Sequence, residues 1–338
     1  MASRLNVSNL SISSGGSIKL PVFTNVSRPS PETGLIIFNE NSGVELYNGT
    51  DWKSLGGAAN LNKVELFSTG SQSFASTGLD QTWTVPEGVI AIKAWMWGAG
   101  GGAGGISSAS QPGGNGGGAG ALDGAVIQVT PGEVLTLRAG QAVNLNSGNP
   151  GATSTAGYSF TAFGGGNRGG IGDGGGANGS HGSPGGGATS ILRGSTFIAI
   201  AAGGGGGGGA GYPSAAGGAG GAGGAGNGNG GLGPGTTAGE GGNGTNGGGG
   251  GGGGGSGSSQ NQGAGVGGQG GSNLLPTQPL QIQGVPVTAG ISVNGSGRNP
   301  GNISSSKYPG GIIGLGGQGT STGGVFIGGG DGYIYIEY

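Results

Sequence analysis

Cysteine is absent from this chain of 338 residues, and histidine occurs once. Disulfide staples and thiolate metal sites are thereby excluded. A secreted chain poor in ordinary core residues usually carries disulfides, so their absence points to assembly in a reducing cytoplasm. Charge is also scarce. Only 7% of residues are Asp, Glu, Lys or Arg, against roughly 25% in an ordinary globular domain. The Lys and Arg residues are scattered, which leaves no basic patch to hold nucleic acid. No segment approaches the roughly 20 apolar residues that cross a bilayer. The start, Met1-Ala-Ser-Arg-Leu5, lacks the apolar run of a signal peptide.

What is present is glycine, 100 residues of it. Composition of this kind reads first as low-complexity disorder. Yet disordered chains stay open through charge repulsion and too few apolar groups, and the net charge here is only -2. The choice is therefore between a soft coil and an ordered structure that needs glycine for close packing.

Residues 1–60 have ordinary composition. Gly34-Leu-Ile-Ile-Phe38 and Val44-Glu-Leu-Tyr47 are β-prone runs joined by turn residues, and Asn48-Gly49 is a second turn signal before Asp51-Trp-Lys53. We read a β-hairpin module of two or three strands, too small to be stable without a partner surface. From residue 61 short strands alternate with glycine tracts. Candidate strands are Lys63–Ser68, Gln81–Val85, Val89–Trp97, Ala125–Val129, Val134–Arg138, Tyr158–Phe163, Ile191–Leu192, Phe197–Ala201, Gln281–Val287 and Tyr333–Tyr338. In Val89–Trp97 a period of two puts Ile90, Ile92, Ala94 and Met96 on one face. Val89, Ala91, Lys93, Trp95 and Trp97 take the other. No helical period is visible, so the strands read as an all-β sandwich.

The tracts span 98–105, 113–120, 164–177, 203–211, 217–257, 263–271 and 323–332. Collagen is excluded because proline is nearly absent from them and the Gly-X-Y register breaks. A flexible linker is the ordinary reading of such sequence. The other reading is an extended helix with three residues per turn, in the polyproline II geometry. Ala216, Ala219, Ala222 and Ala225 favour it. Spaced by Gly-Gly pairs, they form one row of methyls and leave two bare faces where neighbouring backbones can meet.

Gly185-Gly-Gly-Ala-Thr-Ser-Ile-Leu192 followed by Phe197-Ile-Ala-Ile-Ala-Ala-Gly-Gly-Gly-Gly206 resembles the extracellular glycine-rich domain of the anaplastic lymphoma kinase and leukocyte tyrosine kinase receptors. Trp97-Gly-Ala-Gly-Gly101, Val134–Gln141 and Gly328-Gly-Gly-Asp-Gly332 fall in the same order. The resemblance covers about 62–338. It implies a tumour-necrosis-factor-like, jelly-roll β-sandwich carrying a bundle of polyglycine II helices. The receptors' cysteines, membrane span and kinase have no counterpart, so signalling does not transfer.

Arg28-Pro-Ser-Pro-Glu-Thr-Gly-Leu-Ile-Ile-Phe-Asn39 and Glu45-Leu-Tyr-Asn-Gly-Thr-Asp-Trp-Lys53 are similar to a short module of phage and marine-virus fibre and structural proteins. Together the two resemblances imply a non-enzymatic virion protein made in a host cytoplasm. A phage tail-fibre adhesin is favoured. Residues 1–60 would attach to other virion proteins, and 61–338 would meet a host receptor, either a glycan or an outer-membrane protein. A homotrimer is expected by analogy with viral fibres. A head fibre or decoration component is the first alternative; a cellular glycine-rich structural or ice-binding protein is the second.

No catalytic, cofactor-binding or metal-ligating set is expected. Matches to G-x-G-x-x-G are unavoidable at this glycine density and lack a βαβ context. His181 reads as a solvated loop residue, and Asp173 and Asp331 as turn residues rather than cation ligands. The single Arg-Gly-Gly at Arg168 lacks the repetition of nucleic-acid-binding tracts. Trp95, Trp97, Tyr333 and Tyr335 could make a carbohydrate platform, but their strand spacing favours packing. The sequons, Asn48 and Asn243 among them, have no expected role. Candidate receptor contacts lie in loops that interrupt the glycine with bulkier residues: Tyr212, Leu274, Leu275, Gln278, Arg298 and Tyr308. The same loops could instead cap and turn the bundle.

Overall fold

The computed structural model describes residues 22–24, 27–30, 32–33, 35–39, 43–56, 67, 70–105, 112–142, 164–166, 181–211, 216, 218–224, 228–231, 243–249, 264–277, 281–282, 285–319 and 328–338. The chain divides into two compact units, Met1–Glu65 and Leu66–Tyr338. Every regular element among the described residues is a strand.

In the first unit, β1 (Val22–Phe23), β2 (Ile36–Asn39), β3 (Gly43–Tyr47) and β4 (Trp52–Gly56) form one sheet in that order. β1 lies parallel to β2, and the other pairs are antiparallel. β1 was not expected from the sequence, because two residues carry no alternation to read. Among the described residues Ile37 is the one buried hydrophobe here. Beside it the carboxylate of buried Glu45 accepts from Arg28 Nε at 3.0 Å and Nη2 at 2.6 Å, and from Asn39 Nδ2 at 3.0 Å. A buried charge held by three donors is satisfied, which is the condition for keeping it ionised in a small core.

The second unit is β-sandwich-like. One sheet runs β11 (Thr196–Ala201), β10 (Thr189–Arg193), β9 (Val134–Arg138), β6 (Gln81–Thr84). The other runs β14 (Ile291–Val293), β8 (Ala121–Gln128), β7 (Ala91–Trp97), β15 (Tyr333–Glu337), β5 (Ser71–Ala75). All pairs in both are antiparallel. Trp83, Leu135, Leu137 and Ile191 from the first sheet share one core with Phe74, Ile92, Met96, Leu122, Ile127, Ile334 and Ile336 from the second. The third pairing is a hairpin, β12 (Gln281–Ile282) with β13 (Val285–Pro286), where the sequence suggested one strand.

Alternation in β7 holds from residue 91 onward. Ile92, Ala94 and Met96 enter the core, while Trp95 and Trp97 join a second cluster on the outer face with Tyr308, Ile313, Tyr333 and Tyr335. Val89 and Ile90 exchange the faces expected of them: Val89 is in the core and Ile90 packs outside. The strand starts only after a turn, in which Val89 N–H donates to Pro86 O and Gly88 has φ +82°. Alternation cannot be extended backwards through such a turn. Trp97 Nε1–H donates to Gly301 O at 3.0 Å and its ring lies 5.4 Å from that of Tyr308. Residues 301–313 thus cover this end of the outer face.

Candidate interaction surface

Glycine segments leave the sandwich directly from strand ends. Segment 98–105 follows β7, 113–120 precedes β8, 181–188 precedes β10, 202–210 follows β11, and 328–332 precedes β15. Outside the strands their backbones bond to one another in a regular order. Gly204, Gly207 and Ala210 donate to the carbonyls of Ala99, Gly102 and Gly105. Gly114, Gly117 and Gly120 donate to Gly208, Gly205 and Ala202. Gly265, Gly268 and Gly271 donate to Gly209, Gly206 and Gly203. Gly205 and Gly208 donate to Gly221 and Gly218, Ser183 and Gly186 to Gly207 and Gly204, and Gly203 to Gly247. Every third residue meets the same neighbour. Segment 202–210 is bonded in this way to five others, and Gly247 adds a single bond.

Close approach explains the glycine. A Cβ on Gly205 would lie 2.6 Å from the carbonyl carbon of Gly268, and closer still to its oxygen. On Gly203, Gly204 and Gly207 the corresponding distances to the carbonyl carbons of Gly186, Gly117 and Gly114 are 2.6, 2.6 and 2.7 Å. An ordinary C···O contact is about 3.3–3.6 Å even when attractive. None of these four glycines has positive φ, so they serve here by lacking a side chain, not by conformational freedom.

Buried Ala99, Ala119, Ala202 and Ala210 find room inside, and side chains also recur where a segment faces outward. Ala216 and Ala219 are exposed and Ala222 is half-buried. Ala225 lies outside the described residues. On the adjoining segment Val266, Gln269 and Ser272 are exposed at the same spacing of three, a row the sequence reading overlooked because its members differ in chemistry. Val266-Gly-Gly-Gln269-Gly-Gly-Ser272 was the available signal. Asn115 is exposed on a third segment, where its Oδ1 accepts from Gly319 N–H at 2.8 Å.

The loop residues singled out as receptor contacts are dispersed. Tyr212 and Gln278 lie outside the described residues. Leu275 packs against the main core, whereas the Leu274 side chain is 41% exposed and its backbone exchanges two hydrogen bonds with Ile200. Arg298 Nε donates to Gly316 O and Gly317 O at 2.9 and 3.2 Å, and Nη1 to Gln318 Oε1. Tyr308 OH donates to Ile313 O at 2.8 Å, and burial raises its pKa. Arg298 and Tyr308 thus hold the loop against the glycine segments and the outer aromatic cluster, while Leu274 presents an exposed side chain.

His181 is corrected from a solvated to a buried residue, 8% exposed, its carbonyl accepting from Gly105 N–H at 2.9 Å. Extended glycine segments bring it against a neighbour where a coil would have left it in water. Asp331 accepts from Ala142 N–H at 2.7 Å through Oδ1, and burial holds its pKa above the ordinary value despite that bond. Asp173, Arg168 and the candidate strand Tyr158–Phe163 lie outside the described residues, as does all of Lys63–Ser68 except Phe67. Trp95 and Trp97 are 7% and 0% exposed, so neither ring offers a free face for a sugar. No protein-family model matches this chain, and no curated protein matches it.

Proposed function

We propose that the glycine segments are polyglycine II helices packed as a bundle on a tumour-necrosis-factor-like sandwich, and that the protein is a non-enzymatic virion component, a tail-fibre adhesin. The observation that carries the architectural half is the recurrence of backbone hydrogen bonds at every third residue, with Gly203, Gly204, Gly205 and Gly207 packed too closely on their neighbours to admit a Cβ. Three residues per turn is the period of that helix type. Buried peptide groups need partners, and this arrangement supplies them without strands or α-helices.

The virion half rests on the likeness of residues 28–53 to modules of viral fibre proteins. In this reading residues 1–60 attach to other virion proteins and the protein forms a homotrimer. Exposed loops and rows of the glycine-rich unit then meet a host glycan or outer-membrane protein. The test uses labelled full-length chain and a panel of bacterial cells. Saturable binding displaced by unlabelled protein is expected. No saturable binding to any strain would replace the adhesin with a particle component that has no receptor.

A further inference from the structure

On the outer face of the five-stranded sheet an ammonium group sits in an aromatic corner. Trp95 on β7 and Tyr335 on β15 are cross-strand partners, and their rings meet edge to face with centroids 5.9 Å apart. Lys307 Nζ lies 4.9 Å from the centroid of Tyr335 and 5.5 Å from that of Trp95. Both distances fall within the roughly 6 Å over which an aromatic ring attracts a cation. Glu337, two residues further along β15 and so on the same face, accepts a hydrogen bond from this ammonium. Two rings and a carboxylate around one cation make an ammonium-binding arrangement, and Lys307 is its occupant.

Lys307 fills the corner without being needed to hold the loop 301–313. Other residues do that: Trp97 Nε1–H donates to Gly301 O, and the Tyr308 ring packs on Trp97. The Lys307 side chain is 29% exposed and that of Glu337 23%. Rotation about the lysine side-chain bonds therefore takes the ammonium into water with the backbone in place. A second lysine sets the charge of the site. Lys93 is directly opposite Glu337 in the ladder, yet among the described residues it makes no ion pair. Its Nζ lies instead 5.2 Å from the Trp95 centroid. Gly124 leaves room for its stem, since a Cβ there would meet Lys93 Cε at 2.7 Å. Exchanging the Lys307 ammonium for another monovalent cation leaves the charge around Glu337 as it is, so the exchange buries no additional ion.

We propose that Trp95, Tyr335 and Glu337 form a binding site for an organic ammonium group, which displaces Lys307 as the internal ligand. A lysine ammonium is compact and strongly hydrated. A methylated ammonium gives up less water on entering and is the cation that aromatic sites favour. The tethered lysine competes at an effective concentration on the order of millimolar, so a free ligand binds weakly while Lys307 is present. The group is carried either by a small molecule or by a phospholipid headgroup. All of these residues belong to the glycine-rich unit, and the inference is independent of any role in a virion.

Labelled choline is the probe, in equilibrium dialysis against full-length wild type and Lys307→Gln. Saturable binding is expected for both, with an affinity at least about fivefold higher for Lys307→Gln, where the site is always open. The uncharged carbon isostere of choline should fail to displace the label. Adding Tyr335→Leu to Lys307→Gln should return the affinity to the wild-type value or below, with the near-ultraviolet circular dichroism of the tryptophans retained. Co-sedimentation of Lys307→Gln with phosphatidylcholine vesicles, reversed by choline, assigns the group to a lipid headgroup; choline binding without co-sedimentation assigns it to a small molecule. Absence of saturable choline binding by both proteins would overturn the proposal. So would displacement by the isostere as effective as by choline, or an affinity indifferent to Tyr335→Leu.

Discussion

Replacing Gly205 with alanine adds one methyl group to the central glycine segment, and the structure gives a size to the consequence. The new Cβ would sit 2.6 Å from the carbonyl carbon of Gly268. The carbonyl oxygen is closer still, so reaching an ordinary C···O contact of about 3.3–3.6 Å requires the two segments to part by more than about 1 Å. Three hydrogen bonds run between them, from Gly265, Gly268 and Gly271 to Gly209, Gly206 and Gly203. Each buried bond lost leaves groups whose desolvation costs about 1–3 kcal/mol. A compensating gain of about 0.4–1 kcal/mol comes from the stiffer unfolded chain. With all three bonds lost, the net loss is about 2–9 kcal/mol. For a unit of this size each kcal/mol moves the midpoint by about 2–4 °C, so the melting temperature should fall by at least about 4 °C.

Thermal unfolding followed by tryptophan fluorescence measures this, since Trp83, Trp95 and Trp97 are buried in the sandwich. Ala219→Gly is the matched comparison: it exchanges the same two residue types at an exposed position and should cost no more than about 1 kcal/mol. Amide exchange at Gly203–Gly208 should be slow in the native protein and fast in Gly205→Ala. A linker would respond oppositely, because alanine in a coil stiffens only the unfolded state. A Gly205→Ala midpoint equal to or above wild type would refute close packing of the segments.

Three further outcomes follow from particular contacts. Trp97→Phe removes the buried donor to Gly301 O and part of the Tyr308 packing; a loss of about 1–3 kcal/mol is expected by denaturant titration. Asp331 is held above its ordinary pKa by burial, so the folded state keeps a proton that the unfolded state has released. Stability contributed by this group therefore falls as pH rises from 3.8 through the raised value. Asp331→Asn keeps an acceptor for Ala142 N–H and should be at least as stable at neutral pH, with the difference closing below pH 3.8. Asp80 is shifted the other way by its hydrogen bonds with Arg138 at 2.7 and 2.8 Å. Its contribution is present above 3.8 and lost as pH falls through the lowered value. Asp80→Asn should cost under about 1 kcal/mol, since the pair is partly exposed, and only at the higher pH.

Strands with strong alternation were legible, and those broken by glycine were not. Val134–Arg138 has the bounds expected of it. β8 was read from Ala125, four residues late, because Asp123 and Gly124 interrupt the apolar run. That glycine has φ +65°, and a Cβ on it would meet Lys93 Cε at 2.7 Å. It lies opposite a register shift between Ala94 and Met96. Leu122 and Ala125, three apart, then both face the core, as a β-bulge allows and a simple period of two does not. β5, Ser-Gln-Ser-Phe-Ala, contributes only Phe74 to the core, too little apolar signal to announce a strand. The row of alanines could be seen in the sequence. The exposure of the glycines beside them could not, since nothing in a run of glycine tells an exposed Gly221 from a buried Gly205.

The attachment of the segments to strand ends bears on why they can be ordered at all. Fixing a residue's backbone costs about 1–2 kcal/mol, glycine loses the most freedom, and a segment without side chains buries little apolar surface in return. A free segment of this kind has no reason to hold one conformation. Here Gly98 continues from Trp97, Gly120 leads into Ala121, Ala188 into Thr189, and Ala202 follows Ala201. Each strand is already fixed in register by the apolar core, so the first residue of each segment starts at a set place beside its neighbours. Gly98 N–H donates to Gly120 O, Gly120 N–H to Ala202 O, and Ala99 N–H to Gly187 O, immediately past the strand ends. From that seed each added residue brings a hydrogen bond at the cost of its own ordering, without the loop-closure penalty of a chain whose ends are free. Core and bundle are then one cooperative unit. A core variant such as Leu137→Ala should release the amides of Gly203–Gly208 together with those of β9 and β10. If exchange shows the glycine amides holding their protection while the strand amides lose theirs, the bundle stands without the sandwich and the seeding argument fails.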